Sequence, residues 1–120
     1  MSTYKKTSEK ISGQTQEPPG HENKMEPRPV IIRDNYKGSG KLLNKIALIT
    51  GGDSGIGRSI AVHYAREGAD VAIVYLEEDK DAEETKNLVE REGRKCLLLR
   101  GDLKNRNFCE SAVEKTVQQY

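Results

Sequence analysis

From Lys45 onward the apolar positions alternate between two spacings, with a short polar break at each change. Lys45–Thr50 holds the unbroken apolar run Ile46 to Ile49, which predicts a strand buried on both faces. Ile56–Glu67 takes up helical spacing, with Ile56, Ile60, Tyr64 and the small Ala61 and Ala65 expected on the inner face. On that helix Arg58 is expected at the surface and His63 close to it. Gly68 stands where a left-handed residue ends a helix. Asp70–Leu76 reads as a second strand around Val71, Ile73 and Val74. Asp79–Glu92 reads as a second helix, acidic in its first turn as the helix dipole favours. Its Ala82, Thr85, Leu88 and Val89 recur as an inner face, and its acidic run is expected in solvent. Lys95–Arg100 is a third strand, and Asn105 or Asn107 can cap a last helix carrying Phe108, Ala112, Val113, Thr116 and Val117.

Strand and helix alternating over short links predict an α/β fold with a parallel sheet and right-handed crossovers. The pattern βαβαβα matches the N-terminal portion of a doubly wound (Rossmann) sheet, with strand order 3-2-1. That portion is incomplete: a fourth strand would lie beside the first, and none follows in these 120 residues. The edge of strand one is therefore expected to need a covering partner. Residues 41–120 are assigned to this partial domain and residues 1–40 to an extended arm. All four prolines of the chain lie between Pro18 and Pro29, in Glu17-Pro18-Pro19-Gly20 and Glu26-Pro27-Arg28-Pro29, which excludes helix and inner strand there. The arm is expected to be disordered by itself, with Val30-Ile31-Ile32 and Tyr36 as its apolar cluster and His21 solvated.

Composition narrows the function classes. Twenty basic residues against 19 acidic ones leave a net charge of +1, without the basic field that a nucleic-acid binder carries. No apolar run approaches the roughly 20 residues of a membrane span, and no apolar core follows the basic start Tyr4-Lys5-Lys6 as a secretory signal requires. Cys96 and Cys109 are too few and too far apart for a disulfide framework or a zinc site. Two free thiols, with Cys96 on a buried strand, fit a reducing cytoplasm.

The chemistry is expected at the first strand-to-helix turn, Thr50-Gly51-Gly52-Asp53-Ser54-Gly55-Ile56-Gly57-Arg58-Ser59. A glycine turn opening a helix gathers backbone N–H groups and the positive end of the helix dipole around one point, which suits phosphate. Two readings compete. Gly52-x-x-x-x-Gly57-Arg58-Ser59 approaches a triphosphate-binding loop, with Asp102 in the place of a magnesium-binding acid, but Arg58 stands where that loop needs lysine. Gly51-x-x-x-Gly55-x-Gly57 instead suits the pyrophosphate of a dinucleotide. In it Gly51 makes the sharp strand exit, Gly55 admits close approach of the backbone, and Gly57 packs the helix on the sheet. The acidic cluster Glu77-Glu78-Asp79, about 20 residues on, supplies acceptors for ribose hydroxyls.

These residues carry a family resemblance. Thr50-Gly51-Gly52-Asp53-Ser54-Gly55-Ile56-Gly57 resembles the cofactor motif of the short-chain dehydrogenase/reductase family, and Gly101-Asp102-Leu103 resembles its adenine-contacting acid motif. The arm, with Pro18-Pro19-Gly20, Met25-Glu26-Pro27 and Asp34-Asn35-Tyr36-Lys37-Gly38, is similar to an N-terminally extended bacterial subgroup related to glucose dehydrogenases and general stress proteins. The resemblance implies that Gly51, Asp53, Ser54, Gly55, Ile56 and Gly57 seat the pyrophosphate and its ribose. It implies further that Tyr75 and Leu76 border the adenosine ribose, that Asp102 takes the adenine amino group, and that the Leu103 amide lies beside it. The cofactor it implies is NAD or NADP. NAD is favoured, because Ser54 and Leu76 occupy the places where a 2′-phosphate wants a base, with Asp53 and Glu77 nearby and Arg58 as the one candidate partner. Family members are implied to be oligomeric and to move hydride between carbonyl and alcohol with a serine, a tyrosine and a lysine. No Tyr-x-x-x-Lys occurs here, so no catalytic residue is assigned. The expected function is that of a truncated NAD(P)-dependent oxidoreductase, inactive alone, with a non-catalytic binding or subunit-interaction module as the alternative.

Overall fold

The computed structural model describes residues 28–120 and, before them, Gly13, Thr15, Gln16, His21, Lys24 and Met25. Pro18, Pro19, Gly20, Glu26 and Pro27, on which part of the arm assignment rests, lie outside the described residues. The chain falls into two compact units, Met1–Val30 and Ile31–Tyr120. In the first, the Gln16 side chain brackets the His21 backbone, donating to its carbonyl (2.9 Å) and accepting from its amide (2.7 Å).

The second unit contains strand β1 (Ile46–Thr50), helix α1 (Gly55–Arg66), strand β2 (Asp70–Tyr75), helix α2 (Asp79–Arg91), strand β3 (Cys96–Arg100) and helix α3 (Arg106–Gln119). The strands form one parallel sheet with β2 in the middle, the predicted 3-2-1 order. Registers run from Ile46↔Asp70 to Thr50↔Val74 and from Val71↔Cys96 to Tyr75↔Arg100, so all three strands end at one edge. This is the three-stranded opening portion of a doubly wound sheet. Asn105 is the cap of α3, its Oδ1 accepting from the Phe108 amide.

The alternation of β2 explains the core. Val71 and Ile73 point to one face, where they join Ile49, Ala61, Ala65, Val89 and Cys96 beneath α1 and α2. Ala72 and Val74 point to the other, where they join Leu99 and Ala112 beneath α3. Tyr120 ties the end of α3 to this sheet by donating its hydroxyl to the Val71 carbonyl (2.8 Å). Burial pushes the Cys96 thiol up to about 12, so it is an inert core group.

Four side-chain expectations are corrected. β1 is buried on one face only: Ile46 and Leu48 are exposed, because they share the face of Ala72 and Val74, and α3 packs on β3. The buried stripe of α1 is Arg58, Ala61, Val62 and Ala65, whereas Ile56, Ile60 and Tyr64 are exposed. Small residues let this helix sit close to the sheet, and the larger apolar stripe lies on the far side. On α2 the acidic run is not wholly solvated, since Asp81 is buried with Ala82, Thr85 and Val89. On α3, Val113 and Val117 are likewise exposed, while Ala112 and Thr116 are buried.

The ten residues from Ile31 to Gly40, read as arm from the pattern, belong to the compact unit and form a strap along α1. Ser59 donates to the Ile31 carbonyl (2.8 Å), and Arg66 donates to the carbonyls of Arg33 (3.1 Å) and Tyr36 (2.9 Å). The Tyr36 ring meets His63 edge-on, with centroids 5.1 Å apart. Its hydroxyl donates to Glu67, which also accepts from the amides of Ser39 (2.9 Å) and Lys41 (3.1 Å). These donors, Tyr36 first and then the two amides, hold the Glu67 carboxyl down at about 2. A depressed carboxyl stabilises the fold above its ordinary value of 4.5 and loses that contribution as pH falls through about 2. Glu67→Gln is therefore expected to lower the urea midpoint at pH 7 and to flatten its fall between pH 4.5 and 2. Urea titrations at several pH values check this, and equal slopes in both proteins would contradict it.

Candidate functional site

The C-terminal edge of the sheet gathers the predicted site. The ladder continues one residue past the strands, Gly51 N–H donating to the Val74 carbonyl (2.8 Å) and Gly101 N–H to the Tyr75 carbonyl (2.9 Å). The glycine turn, the Tyr75-Leu76 exit and the Gly101-Asp102-Leu103 exit thus leave the sheet side by side. In a parallel α/β sheet this is the edge where ligands are held.

The turn is built as the glycine spacing implied. Gly51 and Gly55 have φ of 67° and 58°, and a methyl added at either meets nothing within 4 Å, so the space over the turn is open. At Gly57 the reverse holds: an added Cβ would lie 2.1 Å from the Gly51 carbonyl oxygen, so only glycine lets α1 settle on the strand exit. Ser54 is the N-cap in extended conformation, and its side chain makes no capping bond. Helix amides and dipole are thereby presented at an open surface, which fits the negative charge of a pyrophosphate. Ile56 is 81% exposed beside it.

The other predicted residues divide. Leu76 and Leu103 are exposed, as is Asp102, whose Oδ1 accepts from the Lys104 amide (2.9 Å). The Cys109 thiol donates to the Leu103 carbonyl (3.2 Å) and steadies that loop. Tyr75 is buried, with its hydroxyl donating to Asp79 (2.8 Å). Asp79 also accepts from Arg100 (3.0 Å), so β3 and the start of α2 are joined at this edge. Asp53 is half-buried; desolvation raises its carboxyl, its own amide lowers it, Asp81 raises it, and Arg58 and the Ser54 amide lower it. Among the described residues no group of three or more His, Cys, Asp or Glu side chains is placed to hold a metal ion. No helix among them is long and apolar enough to cross a membrane.

Arg58 departs most from expectation. Its side chain is fully buried. Nε and Nη2 both donate to the Asp53 carbonyl (3.0 and 2.7 Å), Nε also to Thr85 Oγ1 (2.9 Å), and Nη2 also to the Asp81 carbonyl (3.0 Å). The carboxylates of Asp81 (3.8 Å) and Glu84 (3.4 Å) balance its charge. The guanidinium therefore faces α2 and not the open side of the turn, which removes it as a partner for a 2′-phosphate or a γ-phosphate. Position alone did not reveal this, although a lone threonine among the inward positions of the second helix was a signal that something polar faced it. Arg58→Met leaves Asp81 buried without its cation, and the expected loss of stability is about 3–5 kcal/mol. Urea unfolding measures it, and a loss below ~1 kcal/mol would show that the pair is not needed.

Comparison with known proteins agrees with this arrangement. General stress protein 39 of Bacillus subtilis is 56% identical over 120 residues, which cover 99% of this chain and 41% of that protein. The glucose and ribitol dehydrogenase of Daucus carota is 40% identical over 108 residues, covering 85% of this chain and 37% of its own length. The chain thus spans about two fifths of these relatives. Carveol dehydrogenase from Mycobacterium avium, solved in complex with NAD, superposes with a TM-score of 0.62 at 32% identity, over 68% of this chain and 33% of that one. A short chain dehydrogenase from Burkholderia cenocepacia, solved with NADP, does so with 0.63 at 35%, over 65% and 32%. Residues 45–120 match the short chain dehydrogenase family, and with the sheet, turn and glycine spacing in agreement, the chain belongs to that family.

Proposed function

We propose that this chain is the dinucleotide-binding part of an NAD(P)-dependent oxidoreductase, and that residues 1–120 bind the cofactor without turning it over. The observation that carries this is the open glycine turn at the α1 N-terminus, side by side with the two other strand exits. In this reading Gly51, Asp53, Ser54, Gly55, Ile56 and Gly57 seat the pyrophosphate and the ribose next to it. Leu76 and the backbone of Tyr75 border the adenosine ribose, while Asp102 and the Leu103 amide hold the adenine edge. The bound cofactor would supply hydride exchange at its nicotinamide; the residues here bind and orient it. A proton donor for the substrate oxygen is not among them, since no tyrosine is followed four residues later by lysine. The cofactor reading also has the support of relatives solved with NAD and with NADP. With Arg58 turned inward and Glu77 following Leu76, the rim favours a free ribose over a 2′-phosphate, so NAD is the preferred form.

Fluorescence titration with NADH and NADPH tests this. NADH is expected to bind more tightly than NADPH, and magnesium–ATP is expected not to displace it. Gly55→Ala strains a backbone at φ 58° and projects a methyl over the open turn, so about a tenfold weaker affinity is expected with the fold kept. Absence of NADH binding at millimolar concentration, or displacement by ATP alone, would sink the proposal.

A further inference from the structure

We infer that Arg58 and Thr85 act together as positioning residues for the anion seat, by fixing the direction of the peptide between Asp53 and Ser54. The inference rests on the dinucleotide reading and adds to it a cause for the shape of the turn. The Asp53 carbonyl oxygen accepts three hydrogen bonds: two from Arg58 (3.0 and 2.7 Å) and one from Thr85 Oγ1 (3.0 Å). Thr85 Oγ1 in turn accepts from Arg58 Nε (2.9 Å), so hydroxyl, guanidinium and carbonyl form a closed triangle. Both side chains are fully buried, and Thr85 belongs to α2, a separate element from the turn. This carbonyl is therefore pinned toward α2.

A planar trans peptide sends its carbonyl and the following N–H in opposite directions. With the Asp53 oxygen held toward α2, the Ser54 N–H is turned away from α2, and Ser54 is the N-cap of α1. Desolvation raises the Asp53 carboxyl, and the Ser54 amide opposes that rise, which puts an acidic oxygen within the influence of this N–H. Rotation of this one peptide would replace a donor by a carbonyl lone pair at the seat and repel a phosphate. The glycines give the turn freedom to adopt this shape, and the Arg58–Thr85 pair selects the member of that freedom that presents a donor.

The test uses the whole chain, labelled with nitrogen-15, in three forms: natural, Thr85→Val and Thr85→Ser. Valine keeps the shape of Thr85 and removes its hydroxyl, while serine restores the hydroxyl. In the absence of ligand, Thr85→Val is expected to shift or broaden the Ser54 and Gly55 amide signals and to speed their exchange, and Thr85→Ser to return them. NADH affinity should fall about tenfold in Thr85→Val and recover in Thr85→Ser. A stability loss with unchanged Ser54 and Gly55 signals would overturn the inference. So would a Thr85→Val protein that binds NADH as the natural chain does. Failure of the natural chain to bind NADH would refute the dinucleotide reading, and the ligand-free amide signals would still decide this one. Should Thr85→Val not fold, Arg58→Lys, which keeps the charge and gives up the paired grip on the carbonyl, is read by the same signals and judged in the same way.

Discussion

One carbonyl oxygen, that of Asp53, connects the parts of this unit. Loops rarely bury a backbone acceptor, because water no longer satisfies it there. Here the acceptor is satisfied from two helices at once, by Arg58 of α1 and Thr85 of α2. The glycine turn, the start of α1 and the first two turns of α2 therefore cannot move independently. A guanidinium suits this place, since its planar fork reaches several acceptors without losing its charge, and Asp81 and Glu84 balance that charge.

Around this point the sheet sets the geometry. β2 is buried from Val71 to Tyr75, and its alternating side chains divide the helices between two faces. Parallel registers bring three strand exits to one edge, and two further hydrogen bonds carry the ladder into the loops. The open turn is thus held by a rigid scaffold on three sides: the sheet below, α2 behind, and α1 leading away. Rigidity of this kind lets backbone amides act as a fixed charge pattern, without reorganisation when an anion arrives.

Much of this was legible in the residues. The order of elements, their ends within a residue or two, the sheet order and the roles of Gly51 and Gly57 in shaping the turn all followed from period and punctuation. Side-chain orientation on the inner face of α1 did so only for Ala61 and Ala65, which are buried as expected. Ile56, Ile60 and Tyr64 make a more apolar stripe than Arg58, Ala61, Val62 and Ala65, and periodicity ranks stripes by apolarity. Packing ranked them by size and partner instead: alanines permit close approach, and the arginine found carbonyls and acids that lie 5, 23 and 26 residues away in the chain. Such long-range satisfaction leaves no local signature. The strap was hidden for the same reason. Its polar sequence between Ile31 and Gly40 reads as linker, because its partners stand on a helix that comes later.

The strap also has an evolutionary implication. Of the hydrogen bonds to side chains of α1 and its C-cap Glu67, those at Ile31, Arg33 and Ser39 use backbone atoms. Lys41, just past the strap, uses its amide and adds its ammonium (3.6 Å), and Tyr36 uses its ring and hydroxyl as well as its carbonyl. Peptide groups are the same whatever side chain they carry. Drift in the identity of most strap residues is therefore cheap, while insertion or deletion shifts every contact out of step. Among relatives that keep this strap, spacing between residues 31 and 41 should be held more strictly than sequence, with the identity constraint concentrated on Tyr36, on Gly38, whose added Cβ would lie 2.1 Å from the Arg66 carbonyl oxygen, on Gly40 at φ 75°, and on Ser59, Arg66 and Glu67 opposite them.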